Sequence, residues 1–335
     1  MLDELINKLS NRFTETIFYK DGSELEKQID ALETLLKKYP NNAKLINELN
    51  NCKAGLQGEK EIRFELSNAN IGMYVLHDVN MQYEDLKAQI DYIIITPAYT
   101  YFVECKRIAG NVFVDSNGNF NRAYYKDGQR VIEGMASPLR QAQRHVEVYK
   151  KIWTSRNNTL MDRLLRQDRL DEFNKPLVVF ANAKNTVDLK NAPKEYRNKV
   201  VKSDNLVELL KREYKQCDKD YLWDKKQMEN VAYSIMANYN KMPQVDYIKK
   251  YEELIKNQCN DSNELEKIKE DLLYFREEKS KERNIPEDYI FTDDELEVII
   301  KLMPKTKNEL ANAKILSDVK LKYHGDEIVN IIIHK

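Results

Sequence analysis

The chain has 335 residues, room for two or three domains with a sizeable core, and its 54 Lys and Arg against 55 Asp and Glu leave a net charge of −1. That balance excludes a globally basic coat, so any affinity for phosphate has to be local. No apolar run approaches the roughly 18–20 residues of a membrane span, no signal-peptide pattern opens the chain, and no G-x-x-x-x-G-K-[ST] loop marks an ATP-driven motor, so a cytoplasmic protein without membrane contact is expected.

Taken from the N-terminus, residues 1–50 read as a helical lead-in. Leu25, Ile29, Leu32 and Leu36 recur at i, i+4, i+7 and i+11, and Pro40-Asn41-Asn42 breaks that helix before another runs from Ala43 into Gly55. The lead-in is expected to pack on the domain that follows, with a homo-oligomer contact as the alternative. Residues 51–214 mix helix and strand. A helix is expected over Glu59–Leu66, strands over Ile90–Thr96 and Tyr99–Val103, and a helix after Ser137-Pro138. Further strands are expected at Pro176–Phe180 and Lys199–Val201, and a helix at Leu206–Tyr214. Residues 215–262 are charged and helical and read as a connector; residues 263–335 read as a separate helical domain. Cys52, Cys105, Cys217 and Cys259 lie far apart with no C-x-x-C pair, which argues against a zinc ribbon and fits reduced, buried thiols.

The chemistry concentrates in Gln89-Ile90-Asp91 and Glu104-Cys105-Lys106, which flank a turn signal at Pro97. Proline fixes φ near the value needed at the first corner of a type I or II turn. A hairpin centred between Pro97 and Ala98 opposes residues whose numbers share one sum, and Asp91 then lies across from Glu104. Directly opposed side chains share a face, with Cβ atoms about 4.5–5.5 Å apart. Alternation adds Lys106 to that face and turns Cys105 away. A one-residue slip would separate the acids, so the reading depends on the register. Two carboxylates this close repel unless a positive charge lies between them, and Mg²⁺ characteristically takes one or two carboxylates plus waters and phosphate oxygens. The alternative is a cross-strand ion pair between Asp91 and Lys106 at a sheet edge.

Other motifs fall around this pair in a set order: Gly55-Leu56-Gln57-Gly58-Glu59, His77-Asp78-Val79, then Ser137-Pro138-Leu139-Arg140-Gln141 with His145. Together with the two acid motifs they resemble the nuclease-related domain (NERD) family, a branch of the PD-(D/E)XK nuclease superfamily, over about residues 50–210. The resemblance implies an α/β fold with a restriction-endonuclease-like mixed-sheet core flanked by helices. It implies Mg²⁺ or Mn²⁺ held by Glu59, Asp91, Glu104 and the Cys105 backbone carbonyl, with Lys106 handling the attacking water and Gln141 supporting it. Ser137 departs from the family, which more often has Asn before the proline. Each supporting residue also has a plain structural use. Glu59 suits the first turn of a helix, where the macrodipole favours an acid. His145 suits packing or hydrogen bonding, and His77-Asp78 suits a strand end.

From Lys106 to Arg156 bases exceed acids by about six, with Arg107, Arg122, Lys126, Arg130, Arg140 and Arg144 among them and Tyr124 and Tyr125 between. Such a stretch suits a phosphate backbone and stacked bases, and it equally suits a solvated surface. The last segment resembles the helicase-and-RNase-D C-terminal (HRDC) domain through Leu272-Leu273-Tyr274-Phe275-Arg276, Ile285-Pro286, Tyr289-Ile290-Phe291, Met303-Pro304-Lys305-Thr306 and Tyr323-His324-Gly325. It departs at Ile315-Leu316-Ser317, where that family usually has a glycine, and its acidic balance leaves DNA docking and protein docking both open. The resemblances imply a metal-dependent nuclease, a DNA endonuclease or nickase leaving a 5′-phosphate, in repair or phage defence. RNA as substrate stays open. The alternative is a PD-(D/E)XK-fold module that binds nucleic acid or protein without cutting, in a defence or repair complex.

Overall fold

A computed structural model describes residues 13–155, 170–182, 184–239 and 245–333. Lead-in residues 1–12, Arg156 and connector residues 240–244 lie outside it, as does the side chain of Cys259. In chain order the strands are β1 (Thr16–Lys20), β2 (Met73–Tyr83), β3 (Leu86–Ile95), β4 (Thr100–Lys106), β5 (Asn111–Val114), β6 (Phe120–Lys126), β7 (Gln129–Met135), β8 (Asn174–Phe180), β9 (Val187–Asp188) and β10 (Val200–Lys202). The helices are α1 (Glu24–Lys38), α2 (Ala43–Ser67), α3 (Pro138–Ser155), α4 (Leu206–Gln216), α5 (Lys225–Ala237), α6 (Tyr247–Arg283), α7 (Asp293–Leu302), α8 (Lys307–Asn312) and α9 (Asp318–Ile333). The chain divides into two compact units at Ile248/Lys249.

The first unit is a three-layer α/β structure on a mixed sheet of order β1-β2-β3-β4-β8-β10, with β2, β3 and β4 antiparallel and the outer pairings parallel. Alternation along the strands sends Tyr92, Ile94, Tyr101 and Val103 toward α2 and α4, where they meet Ile62, Leu66, Leu206 and Leu209. It sends Ile93, Ile95 and Phe102 toward α3 and α5, where they meet Val146, Tyr149, Met228 and Ala232. A second sheet, β7-β6-β5-β9, packs Val112, Val114 and Phe120 on Leu139, Val178 and Phe180.

The β3–β4 hairpin has the expected register. Tyr92 opposes Val103, Ile93 opposes Phe102, and Pro97-Ala98 form the turn, held by Thr96 Oγ1 accepting from the amides of Ala98 and Tyr99. Three other expectations change. The lead-in is not wholly helical: Thr16-Ile17-Phe18-Tyr19, β-branched and aromatic, adds β1 in parallel to β2. The helices expected on either side of Gly55 are one helix, α2, because both glycines are sites of close approach. A Cβ at Gly55 would lie 3.1 Å from Leu25 Cδ1, and one at Gly58 would lie 3.1 Å from both Cys105 Sγ and Arg107 Cβ. Part of the segment read as a connector is core, since α5 buries Met228, Ala232 and Ile235 against the sheet.

The second unit is all helical, with Ile268, Leu272, Phe291, Leu296, Ile299, Leu310, Ile328 and Ile332 at its centre. Buried Arg276 ties α6 to the α7 entry through Asp293, 2.7 Å away, and Glu287, 3.1 Å away. The turn after α8 places Lys314 at φ 51°, so a lysine makes the left-handed turn near the place where a glycine is usual.

Candidate active site

At the end of β4 the alternation carries Glu104 and Lys106 toward α3, while Cys105 packs on the α2 side. Ser137 Oγ accepts from the Arg140 amide and Pro138 begins α3, so the first turns of that helix face the strand end. The result is a connected group. Lys106 Nζ lies 2.6 Å from Glu104 Oε1 and donates to Gln141 Oε1 at 3.4 Å. Glu104 is only 2% exposed, and its Oε2 has no hydrogen-bond partner among the described residues. Across the hairpin, Asp91 Oδ2 accepts from the Cys105 amide at 2.7 Å.

Burial pushes the Asp91 carboxyl well above the ordinary carboxylate range, and the neighbouring Glu104 charge adds to the rise. Glu104 is raised too, again by burial, with Lys106 opposing the shift. Burial holds the His145 imidazole down to about 4. This histidine is a packed side chain whose Nδ1 lacks a hydrogen-bond partner among the described residues.

Glu59 departs from its expected place. It sits mid-way along α2, not in a first turn, so the macrodipole does not explain it. Its carboxylate lies 3.0 Å from His77 Nε2, and His77 stacks on Tyr92 with ring centroids 4.3 Å apart. Among the described residues, no group of three or more His, Cys, Asp and Glu side chains lies close enough to hold a metal ion. The three-acid ligand set expected from Glu59, Asp91 and Glu104 is therefore not assembled. Asp91 and Glu104 form a pair, and Glu59 adds only to the repulsion felt by Asp91.

The pair still fits a hard cation. A half-buried Asp91 that feels the charge of buried Glu104, and a Glu104 oxygen without a hydrogen-bond partner among the described residues, suit added positive charge, and Mg²⁺ is satisfied by one or two carboxylates and waters. His77 and Asp78 do not end a strand; both lie within β2. Asp78, at φ 54°, accepts from the Glu24 amide and from Gln89 Nε2, which joins the start of α1 to β3. The sequence reading missed the Glu59–His77 pair, and its signal was the placement of His77 inside a strand facing α2.

The six basic residues separate. Arg107 is bound to Glu61 and to the Ala181 carbonyl, and Arg122 to Glu133, so both are engaged within the protein. Lys126, Arg130, Arg140 and Arg144 are exposed. Tyr124 also donates to Glu133, whereas Tyr125 projects into solvent.

A family model described as the nuclease-related domain matches residues 54–181, and the HRDC domain model matches residues 266–332. No curated protein and no solved structure shows a significant match to the chain. No helix among the described residues is long and apolar enough to cross a membrane.

Proposed function

From a chain that carries a nuclease-related domain and an HRDC domain, we propose a metal-dependent nuclease that hydrolyses phosphodiester bonds, with DNA as substrate. The observation that carries the proposal is the Asp91–Glu104 pair with Lys106 attached at the edge of α3. Asp91, Glu104 and the Cys105 backbone carbonyl would hold Mg²⁺ or Mn²⁺. When bound, such an ion makes a water more acidic and stabilises charge on the in-line transition state.

The chain's own groups do the rest. Lys106, held by Glu104 and Gln141, orients the attacking water and offsets the negative charge that develops on the phosphate. The water oxygen forms a bond to phosphorus as the bond to the 3′-oxygen breaks. The proton given up by the attacking water passes through solvent to that oxygen, leaving a 3′-hydroxyl and a 5′-phosphate. Exposed Arg140 and Arg144 on α3 place the phosphate backbone beside the pair. The HRDC domain supplies a second contact to nucleic acid or to a protein.

A second reading, a module that binds nucleic acid without cutting, draws on the assembly of two acids in place of three. Supercoiled, linear and single-stranded DNA and RNA, incubated with Mg²⁺, Mn²⁺ or EDTA, separate the two. Cleavage with either metal, absent in EDTA and absent from Lys106→Ala, supports the nuclease. Binding without cleavage under every condition leaves the module.

A further inference from the structure

The two faces of the smaller sheet are unlike each other. Its inner face buries Val112, Val114 and Phe120, and Arg122 and Tyr124 on the same side are taken up by Glu133. Opposed pairs define the other face: Asn111 and Ile132 flank Ala123, Phe113 and Gly134 flank Asn121, and Tyr125 lies across from Arg130. An antiparallel sheet with one face in the core normally turns polar residues outward. Here Tyr125 is 77% exposed and Ile132 is 54% exposed, with half-buried Phe113 on the same face. Among the described residues, a Cβ added at Gly134 would meet only Asn121 Oδ1, at 3.9 Å.

We propose that this outer face is a stacking platform for a single-stranded stretch of the nucleic-acid substrate, with Tyr125 as the ring on which a base rests and Arg130 beside it; the inference rests on the nucleic-acid reading above. Three observations favour this occupant. A cleft of about 440 Å³ lies between Phe113, Tyr125, Arg130 and Asp188, within the size range of ligand clefts. The platform is continuous with the catalytic group: β5 begins shortly after Lys106, and β7 runs into α3, which carries Gln141. A cation accompanies the ring on the same face, with Arg130 directly opposite Tyr125. Asp127 and Gly128, both at positive φ, close a tight two-residue turn that holds these pairs in a stiff hairpin. A duplex hides its base faces inside the stack, so an exposed ring on a sheet gains mainly from unpaired bases.

The test is anisotropy of a labelled single strand, and of the blunt duplex of the same sequence, in EDTA with the full chain. Tyr125→Ala should weaken single-strand binding by about tenfold and duplex binding by less than about twofold, since base–aromatic stacking is tolerant of sequence but requires a free base face. Tyr125→Phe should bind as the wild type does. Unchanged single-strand affinity in Tyr125→Ala, equal loss on both substrates, or no single-strand binding by the wild type would overturn the platform. Plasmid cleavage by Lys106→Ala is read separately. If that variant cuts as the wild type does, the nuclease reading fails while the binding result stands; if the wild type alone cuts and Tyr125→Ala binds normally, only the platform fails.

Discussion

The unpartnered Oε2 of Glu104 faces the unpartnered Nδ1 of His145 at 3.8 Å. That separation is too long for a hydrogen bond, and an imidazole held down to about 4 carries no charge at neutral pH. The positive charge in contact with the buried Glu104 carboxylate is therefore Lys106. Removing it leaves the acids in place but takes away the group that handles the water. Lys106→Ala is expected to lower Mg²⁺-dependent cleavage by about 10²–10⁴-fold, the span of general acid–base catalysis. Nucleic-acid binding in EDTA should stay within about twofold. Plasmid cleavage and anisotropy, run side by side, check both halves.

Asp91→Asn separates charge from shape. The amide oxygen can still accept from the Cys105 backbone, but the repulsion from Glu104 is gone. A carboxyl raised in the folded state holds its proton there at pH values where the unfolded chain has released it. Metal-free stability therefore falls as pH rises above the ordinary value of 3.8 and through the raised one. At neutral pH the variant is expected to melt at a higher temperature than the metal-free wild type, and to lose the further rise that Mn²⁺ gives the wild type by binding the folded state. Thermal melts with and without Mn²⁺ measure the shift, and calorimetry should show weaker Mn²⁺ binding.

His145 sets an acid limit of opposite sign. Its folded value of about 4 lies below the ordinary 6.5, so between these values the unfolded chain binds the extra proton. Stability is lost as pH falls through that window, with a slope approaching about 1.4 kcal/mol per pH unit from this group. His145→Leu keeps an apolar body on α3 and removes the titration. Urea unfolding at several pH values in EDTA should show a shallower acid decline in the variant than in the wild type, and parallel curves would exclude the effect.

The arginines predict a division between stability and binding. Arg107 is engaged by Glu61 and Ala181, so Arg107→Ala should lower the melting temperature and leave the salt dependence of DNA binding nearly unchanged. Arg140→Ala and Arg144→Ala, on exposed positions of α3, should leave melting unchanged. Each should reduce the slope of log affinity against log salt by about one. A salt titration of DNA binding checks all three variants.

Much of the site was legible because it is local. A two-residue turn at Pro97-Ala98 sets the register of the strands around it, and alternation by two then assigns Glu104, Cys105 and Lys106 to their faces. A place for Gln141 near Lys106 was expected from the family resemblance, and Lys106 Nζ lies 3.4 Å from Gln141 Oε1. The spread of the helices was less legible. Glycines at 55 and 58 look like breaks in a sequence, and only the approach of Leu25, Cys105 and Arg107 shows why a helix runs through them.

The sequence by itself determined the hairpin, the order of its ionisable residues, the apolar faces of the strands and helices, and the two domain resemblances. These depend on backbone periodicity and turn chemistry over a few residues. Tertiary structure alone decided that Glu59 turns to His77, that Arg107 and Arg122 are engaged by Glu61 and Glu133, and that Tyr125 stands in solvent while Tyr124 does not. A charged or aromatic side chain takes whatever partner the packed layers bring to it. In the Glu59–His77 and Arg107–Glu61 pairs that partner lies many residues away, where no local pattern in the chain points to it.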